Sequence, residues 1–386
     1  MKENMQMQTE NFDDIRPYND EEVPAAVRRI AASEILPAIA AYVYPGEEVE
    51  VVARRIASIR SSDELLHTLA KDAVTHVLEQ TTTRFTVSGF EQLDSDRSYL
   101  FVSNHRDIVL DAAILQYVLD QYGHATCYIT FGANLMSNPL ITDLGKSMKM
   151  FRTERGGNRM DFYRNMLHLS SYMRHLVTQC GGSVWIAQRN GRTKNGLDAT
   201  DPAVMKMLSL SGEKDLPAAM AALHIVPVSI SYEWETCDIK KAVELYMTRQ
   251  NGKYVKVPGE DLQSMIDGIV SPKGHVHLEV CQPLELEDFE KLNQRKPDFF
   301  QEVASLMDWR INAAFHLMPT HFVAHDIRSG TRRYEAFYDE ETERQFHLHL
   351  GKVTAFSDCD TTLLRSILLD IYANSVDNAL KFREQL

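Results

Sequence analysis

The sequence has little of what marks a secreted, metal-bound or membrane-spanning protein. Its five cysteines, at positions 127, 180, 237, 281 and 359, form no close pair, no Cys-x-x-Cys and no Cys/His ligand spacing. A disulfide framework and a zinc module are thereby excluded, and reduced thiols are expected. The opening MKENMQMQTENFDD lacks the basic-then-apolar pattern of a signal peptide and is too acidic for a transit peptide, so a cytoplasmic location is expected. The longest apolar run near the start, 35–45, is about half of the roughly 20 residues that a spanning helix needs. Positive charge is also short. With 41 Lys and Arg against 54 Asp and Glu, a formal charge of -13 and a pI near 5.5, the chain is no polyanion wrapper, and no nucleic-acid partner is expected.

What is present is the makings of a large core. A hydrophobic fraction of 44% over 386 residues, with 25% charged, is that of a globular protein. Asp20, Glu21, Glu22 and Pro24 read as a helix start, and Val23, Val27, Ile30, Ile35 and Ile39 recur near helical spacing until Pro45 and Gly46. A second amphipathic stretch fills 51–80, so residues 1–84 are expected to form an N-terminal helical module. From Phe85 the texture changes. Short β-rich runs at 99–103, 126–131, 183–187, 225–231 and 275–280 alternate with amphipathic segments, which predicts an α/β domain over 85–290: a mixed, mainly parallel sheet with flanking helices. Residues 291–386 are expected to be a C-terminal helical extension. Its segment 321–350 holds four of the 14 histidines, but His321 and His325 lack a further ligand at a metal spacing, and no metal is expected.

In such a sheet, functional side chains gather on loops beyond the strand ends. After the first of these strands comes NHRDIVLD, in which His105 precedes Asp107 and Asp111. Histidine takes a proton near neutral pH, and a carboxylate on its second ring nitrogen fixes the tautomer and stabilises the imidazolium. Such a pair makes an alcohol nucleophilic. The plain alternative is a histidine hydrogen-bonded to a helix-capping carboxylate. Further on, LGKSMKMFRTERGG places Arg152 and Arg155 beside glycines, where guanidinium forks suit a phosphate or carboxylate. The strand 183–187 runs into QRNGRTKNG, with Asn190, Gly191 and Arg192. The strand in ALHIVPVSISYEW carries Pro227 at its centre, where a strand must deviate.

These four segments, in this order, resemble the motifs of the glycerolipid acyltransferases, the lysophosphatidate and glycerol-3-phosphate acyltransferase superfamily. SNHRDIVLD resembles the first motif, Asn-His followed by four residues and Asp, although here five residues separate His105 from Asp111. Asp111 is the favoured partner, with Asp107 the alternative and a good helix cap. The Arg152–Arg155 region resembles the second motif. QRNGRTK resembles the third, Pro-Glu-Gly-Thr-Arg, with Asn190 where the family has Glu. An amide there still hydrogen-bonds a substrate but carries no charge. The Val226–Val228 strand resembles the fourth motif. The likeness covers roughly residues 85–285.

The resemblance implies an O-acyltransferase of phospholipid biosynthesis, moving an acyl group from acyl-CoA or acyl carrier protein to a hydroxyl of a glycerophosphate-type lipid precursor, lysophosphatidate first. His105 would act as general base, oriented by Asp111, with no cofactor beyond the acyl donor. Asn104, Arg152, Arg155, Asn190, Gly191, Arg192 and Pro227 would contact substrate or shape its pocket, and backbone amides of the 104–106 turn would steady the oxyanion. The alternatives are a glycerol-3-phosphate acyltransferase and a catalytically weakened lipid- or acyl-carrier-binding member of the same fold. A lipid acceptor also implies peripheral contact with the inner face of the membrane, for which the N-terminal helices with Arg28, Arg29, Arg54 and Arg55 are the candidate surface.

Overall fold

The computed structural model describes residues 11–154, 156 and 158–384. Seven strands form one sheet: β1 Thr82–Ser88, β2 Leu100–Ser103, β3 Tyr128–Gly132, β4 Met150–Thr153, β5 Val184–Ala187, β6 Ile225–Tyr232 and β7 Gly274–Val280. Their spatial order is β1-β7-β6-β2-β5-β3-β4. Every neighbouring pair is parallel except β6 and β7, so β1 and β7 run against the other five. The mixed, mainly parallel α/β sheet is as expected from the alternation of strand and helix patterns. It begins at Thr82, within the stretch assigned to the N-terminal module, because the chain passes from the helix Lys71–Thr81 into β1 without a turn.

Both faces of the sheet are covered, which is why its central strands read as continuous apolar runs. Alternation then divides the side chains. Phe101, Val226, Val228, Ile230 and Tyr232 join a core with the helices Lys71–Thr81 and Leu110–Gln121. Leu100, Val102 and Ile225 point the other way, into a core with the helices Arg159–Gln179 and Asp298–Ala314. The C-terminal segment thus contributes Phe299, Val303, Met307 and Ile311 to the main core. Its last helix, Thr361–Arg383, forms a further cluster with Ala242, Tyr246 and Phe346.

The N-terminal helices Val23–Ala31, Leu36–Val43 and Val49–Ser58 build their own apolar cluster. The continuous helix expected up to Pro45 is broken at 32–35, since Pro37 has no amide to donate and starts a new helix instead. Ile35, counted on the apolar stripe, falls in that break and is 41% exposed. The cluster packs against Leu140, Leu144 and Met148, and Arg29 makes two hydrogen bonds to the buried carboxylate of Asp143, at 2.7 and 2.6 Å. Arg55 pairs with Glu47 at 2.5 Å and lies over the Tyr44 ring. Two of the four arginines of the expected membrane surface therefore make contacts within the protein, Arg29 to the helix Pro139–Ser147 and Arg55 inside the module.

Candidate active site

The parallel strands β2, β5 and β3 end on one side, and the chemistry-bearing loops leave from there. At the exit of β2 the alternation continues into the turn: His105 follows Phe101 and Ser103 toward the helix Leu110–Gln121, whereas Asn104 and Arg106 face the opposite layer. Asp107 Oδ1 accepts from the amides of Val109 and Leu110, each at 2.9 Å, which starts that helix. Asp111, in its first turn, folds back beneath the loop. Its Oδ2 accepts from His105 Nδ1 at 2.8 Å, Arg106 N at 2.7 Å and Asp107 N at 2.9 Å. The additional residue between His105 and Asp111 is absorbed by this turn, and Asp107 is left as the helix cap.

The other carboxylate oxygen, Asp111 Oδ1, accepts from the Tyr232 hydroxyl at 2.8 Å. Burial, then the neighbouring Asp111, push the Tyr232 pKa far above its ordinary value, so the hydroxyl stays a donor. Asp111 is thus held by four donors while 3% exposed. The His105 ring stands edge-on to Trp185, with centroids 5.7 Å apart at 71°, and Trp185 is itself tied to Ser103 Oγ at 2.9 Å. With Nδ1 engaged by the carboxylate, Nε2 is the nitrogen available as a base, and the 14% exposure of the side chain gives it an opening.

Behind the turn lies a buried ionic network. Arg106, 2% exposed, donates from Nη2 to Asp198 Oδ2 at 2.7 Å and from Nη1 to Glu235 Oε2 at 3.1 Å, and its guanidinium lies 4.9 Å from the Phe315 ring centroid. Burial acts to lower the Arg106 pKa, but Asp198 and Glu235 outweigh it and the group stays charged. Lys241 donates to Glu235 Oε1 at 2.5 Å and to the Arg106 carbonyl at 2.6 Å. Two cations and two anions balance, the condition under which charge is tolerated in an interior. Ser375 lies 3.4 Å from Arg106 Nη2, and Asn378 donates to the Asp198 carbonyl at 3.3 Å, so the last helix reaches the same network.

The structure redistributes the other expected site residues. Asn104 is fully buried, and its amide is used up: Nδ2 donates to Asp198 and to the Ile230 carbonyl, while Oδ1 accepts from Ile230 N at 2.8 Å. It sutures β2 to β6 and cannot also contact a substrate. Of the expected oxyanion donors, the amide of Arg106 is committed to Asp111, as is that of neighbouring Asp107. Pro227 is buried in β6 level with Val102, and its carbonyl accepts from Cys281 N at 2.9 Å; it is a sheet residue, not a pocket wall. Its missing amide falls just before the point where the β6–β7 register begins.

Asn190 is exposed at the tip of the loop after β5, and Gly191 takes φ +74°, a conformation that favours glycine. The loop is stapled to the His105 turn by Thr193 N donating to the His105 carbonyl at 2.7 Å and by Thr193 Oγ1 donating to Asp198 at 2.6 Å. Arg192 is half-buried beside this staple, and its Nη1 has no hydrogen-bond partner among the described residues. Lys194 is paired with Glu244. Arg152 lies on β4, three strand positions from β2, or about 14 Å across the sheet. It is exposed and pairs with Glu154 at 2.6 Å. Arg155 lies outside the described residues. Tyr232, Trp185, Asp198, Glu235 and Lys241 were not singled out from sequence. The only signal was the charge of Glu235, three residues beyond the apolar strand β6.

A His–Asp pair at the exit of a parallel strand, with a basic loop fastened beside it, is an arrangement chemically able to take a proton from a hydroxyl. Residues 84–231 match the family described as Acyltransferase, and this stretch holds His105, Asp111, Arg192 and β6. Over that stretch the chain is similar to the Acyltransferase family. No curated protein matches the chain. Among solved structures, the 1-acyl-sn-glycerophosphate (LPA) acyltransferase PlsC from Thermotoga maritima is 14% identical, with 74% of this chain and 91% of that one covered and a TM-score of 0.36.

Proposed function

We propose that the protein transfers an acyl group from a thioester, acyl-CoA or acyl carrier protein, to the hydroxyl of a glycerophosphate-type lipid precursor, with lysophosphatidate the leading acceptor. The observation that carries this reading is the His105–Asp111 hydrogen bond of 2.8 Å, with Asp111 held in place by three further donors. His105 Nε2 takes the acceptor's hydroxyl proton as its oxygen attacks the thioester carbonyl. The tetrahedral intermediate collapses with cleavage of the C–S bond, the imidazolium returns the proton to the departing sulfur, and ester and free thiol leave. Arg192 would hold the acceptor phosphate, a role supported by its unpartnered guanidinium nitrogen beside the His105 turn. Orienting the acceptor in this way contributes much of the rate. Asn190 offers the acceptor an exposed amide without charge.

The test is thiol release from palmitoyl-CoA with lysophosphatidate or glycerol-3-phosphate, run beside His105→Ala. Release that depends on acceptor and vanishes in the variant supports the reading and identifies the acceptor. Release without acceptor means thioester hydrolysis. If wild type and variant are equally inert with CoA and carrier-protein donors, the domain binds acyl chains or lipids without turning them over.

A further inference from the structure

The His105 turn is gripped from both sides. For the amides of Arg106 and Asp107 to meet on one oxygen of Asp111, at 2.7 and 2.9 Å, two successive peptides turn their N–H groups toward the helix Leu110–Gln121. In a trans peptide the carbonyl then points the opposite way, here into the interior, where it needs a partner. The His105 carbonyl accepts from Thr193 N at 2.7 Å. The Arg106 carbonyl accepts from Lys241 Nζ at 2.6 Å and from Thr236 Oγ1 at 3.1 Å. The peptide joining Arg106 to Asp107 therefore has Lys241 on its oxygen and Asp111 on its nitrogen. A charged donor on a carbonyl polarises the peptide and strengthens the hydrogen bond that its N–H gives.

Lys241 stands in the first turn of the helix Asp238–Asn251, and Thr236 lies in the loop between β6 and that helix; each is 1% exposed. Lysine is seldom buried this far unless paired, and Glu235 Oε1 at 2.5 Å is its counter-charge. Neutrality does not require this second ion pair. Arg106 and Asp198 already balance, so Lys241 and Glu235 together correct no excess of charge. A buried ion pair also has little or no advantage in stability over apolar side chains of the same size. What the second pair adds is a charged donor at the Arg106 carbonyl.

We propose that Lys241 is a positioning residue for the general base: through the Arg106–Asp107 peptide it holds Asp111, and through Asp111 the His105 ring, in the orientation that presents Nε2 to a hydroxyl. Thr236 acts with it as a neutral second donor. The proposal rests on the acyl-transfer reading for what His105 does, whereas the placement of the ring is measurable without turnover.

The experiment sets K241M/E235Q beside wild type, because removing both charges leaves Arg106 paired with Asp198 and strands no anion. With palmitoyl-CoA and lysophosphatidate, kcat is expected to fall at least about tenfold while KM stays within about twofold. The second readout is the tautomer of His105, taken from ring-nitrogen shifts in 15N-histidine-labelled protein above the ordinary histidine titration range and assigned by their absence from His105→Ala. Wild type is expected to carry the proton on Nδ1, and K241M/E235Q to show a mixture of both tautomers. T236V removes the neutral donor without touching a charge, and a loss in kcat of about two- to fivefold is expected, with T236S recovering most of it. A urea midpoint near that of wild type certifies each fold. Full kcat and an unmixed tautomer in K241M/E235Q would overturn the proposal and leave Lys241 as a counter-charge alone. Lost turnover with an unmixed tautomer overturns it as well. If the double variant does not fold, T236V carries the test, and unchanged kcat and tautomer there overturn it. A wild type that transfers no acyl group, but whose tautomer becomes mixed in the variants, would sink the catalytic reading and leave the positioning role standing.

Discussion

The Tyr232 hydroxyl donates to Asp111 Oδ1 at 2.8 Å, on the oxygen opposite the one that His105 holds. Tyr232→Phe keeps the ring and leaves a buried carboxylate oxygen without its partner. A loss of roughly 1–3 kcal/mol in stability is expected, read from urea unfolding. Asp111 keeps its other three donors, so kcat should fall by no more than about tenfold, with KM little changed. A KM change alone would assign Tyr232 to substrate binding instead.

Removing Arg106 leaves Asp198 and Glu235 as buried, unpaired anions. Arg106→Ala should destabilise by about 3–5 kcal/mol, far more than its neighbour His105→Ala, whose partner keeps other donors. The urea midpoints of the two variants decide it, and equal losses would refute the network's structural role.

Gly268 has no room for a methyl group. A Cβ there would come within 2.2 Å of Asp107 Oδ2, and Asp107 is fixed by two backbone amides. Gly268→Ala is expected to cost about 1–3 kcal/mol and to lower kcat by shifting the turn that carries His105. A fully active, equally stable variant would show that the helix Glu260–Val270 simply moves aside.

Acid should loosen the join between β7 and the C-terminal layer. His275 is pushed down to about 4, by burial and then by neighbouring His316, Arg84 and His277, and burial pushes His321 down to about 3. His321 Nδ1 accepts from Met318 N at 3.0 Å, which requires the neutral ring. Native pKa values below the usual 6.5 mean that the unfolded chain binds more protons, so stability is present above pH 6.5 and is lost as pH falls toward 4. Asp308, pushed up to about 6 by burial, opposes this loss by gaining its proton in the native state over part of the same window. Urea midpoints against pH should therefore drop below pH 6.5, and H321Q should flatten the curve. An unchanged slope in H321Q would place the sensitivity elsewhere.

Local pattern carried much of the fold. The runs 99–103, 126–131, 183–187, 225–231 and 275–280 correspond to β2, β3, β5, β6 and β7, since buried strands are short and densely apolar. β1 escaped because TTTRFTVS is half polar and continues directly from a helix, without a turn to mark it. The site was legible where its partners are close in sequence: His105 and Asp111 are six residues apart and share one turn. Tyr232 lies 121 residues from Asp111, and Glu235 lies 129 from Arg106, pairings set by sheet order alone. Asn104 and Pro227 were read as substrate contacts because motif resemblance places residues along the chain, whereas strand alternation and pairing decide which of them face a partner inside the sheet.

The reach of Ser375 and Asn378 into the Arg106–Asp198 network has a temporal side. A ribosome finishes β2 and its His105 turn some 270 residues before it makes the helix that completes their support, at about 5–20 residues per second. Asp198 follows Arg106 by 92 residues, and from then on the two have each other but not the lid that seals them from water. The buried network behind the His105 turn is therefore completed late in synthesis, with the helix Thr361–Arg383.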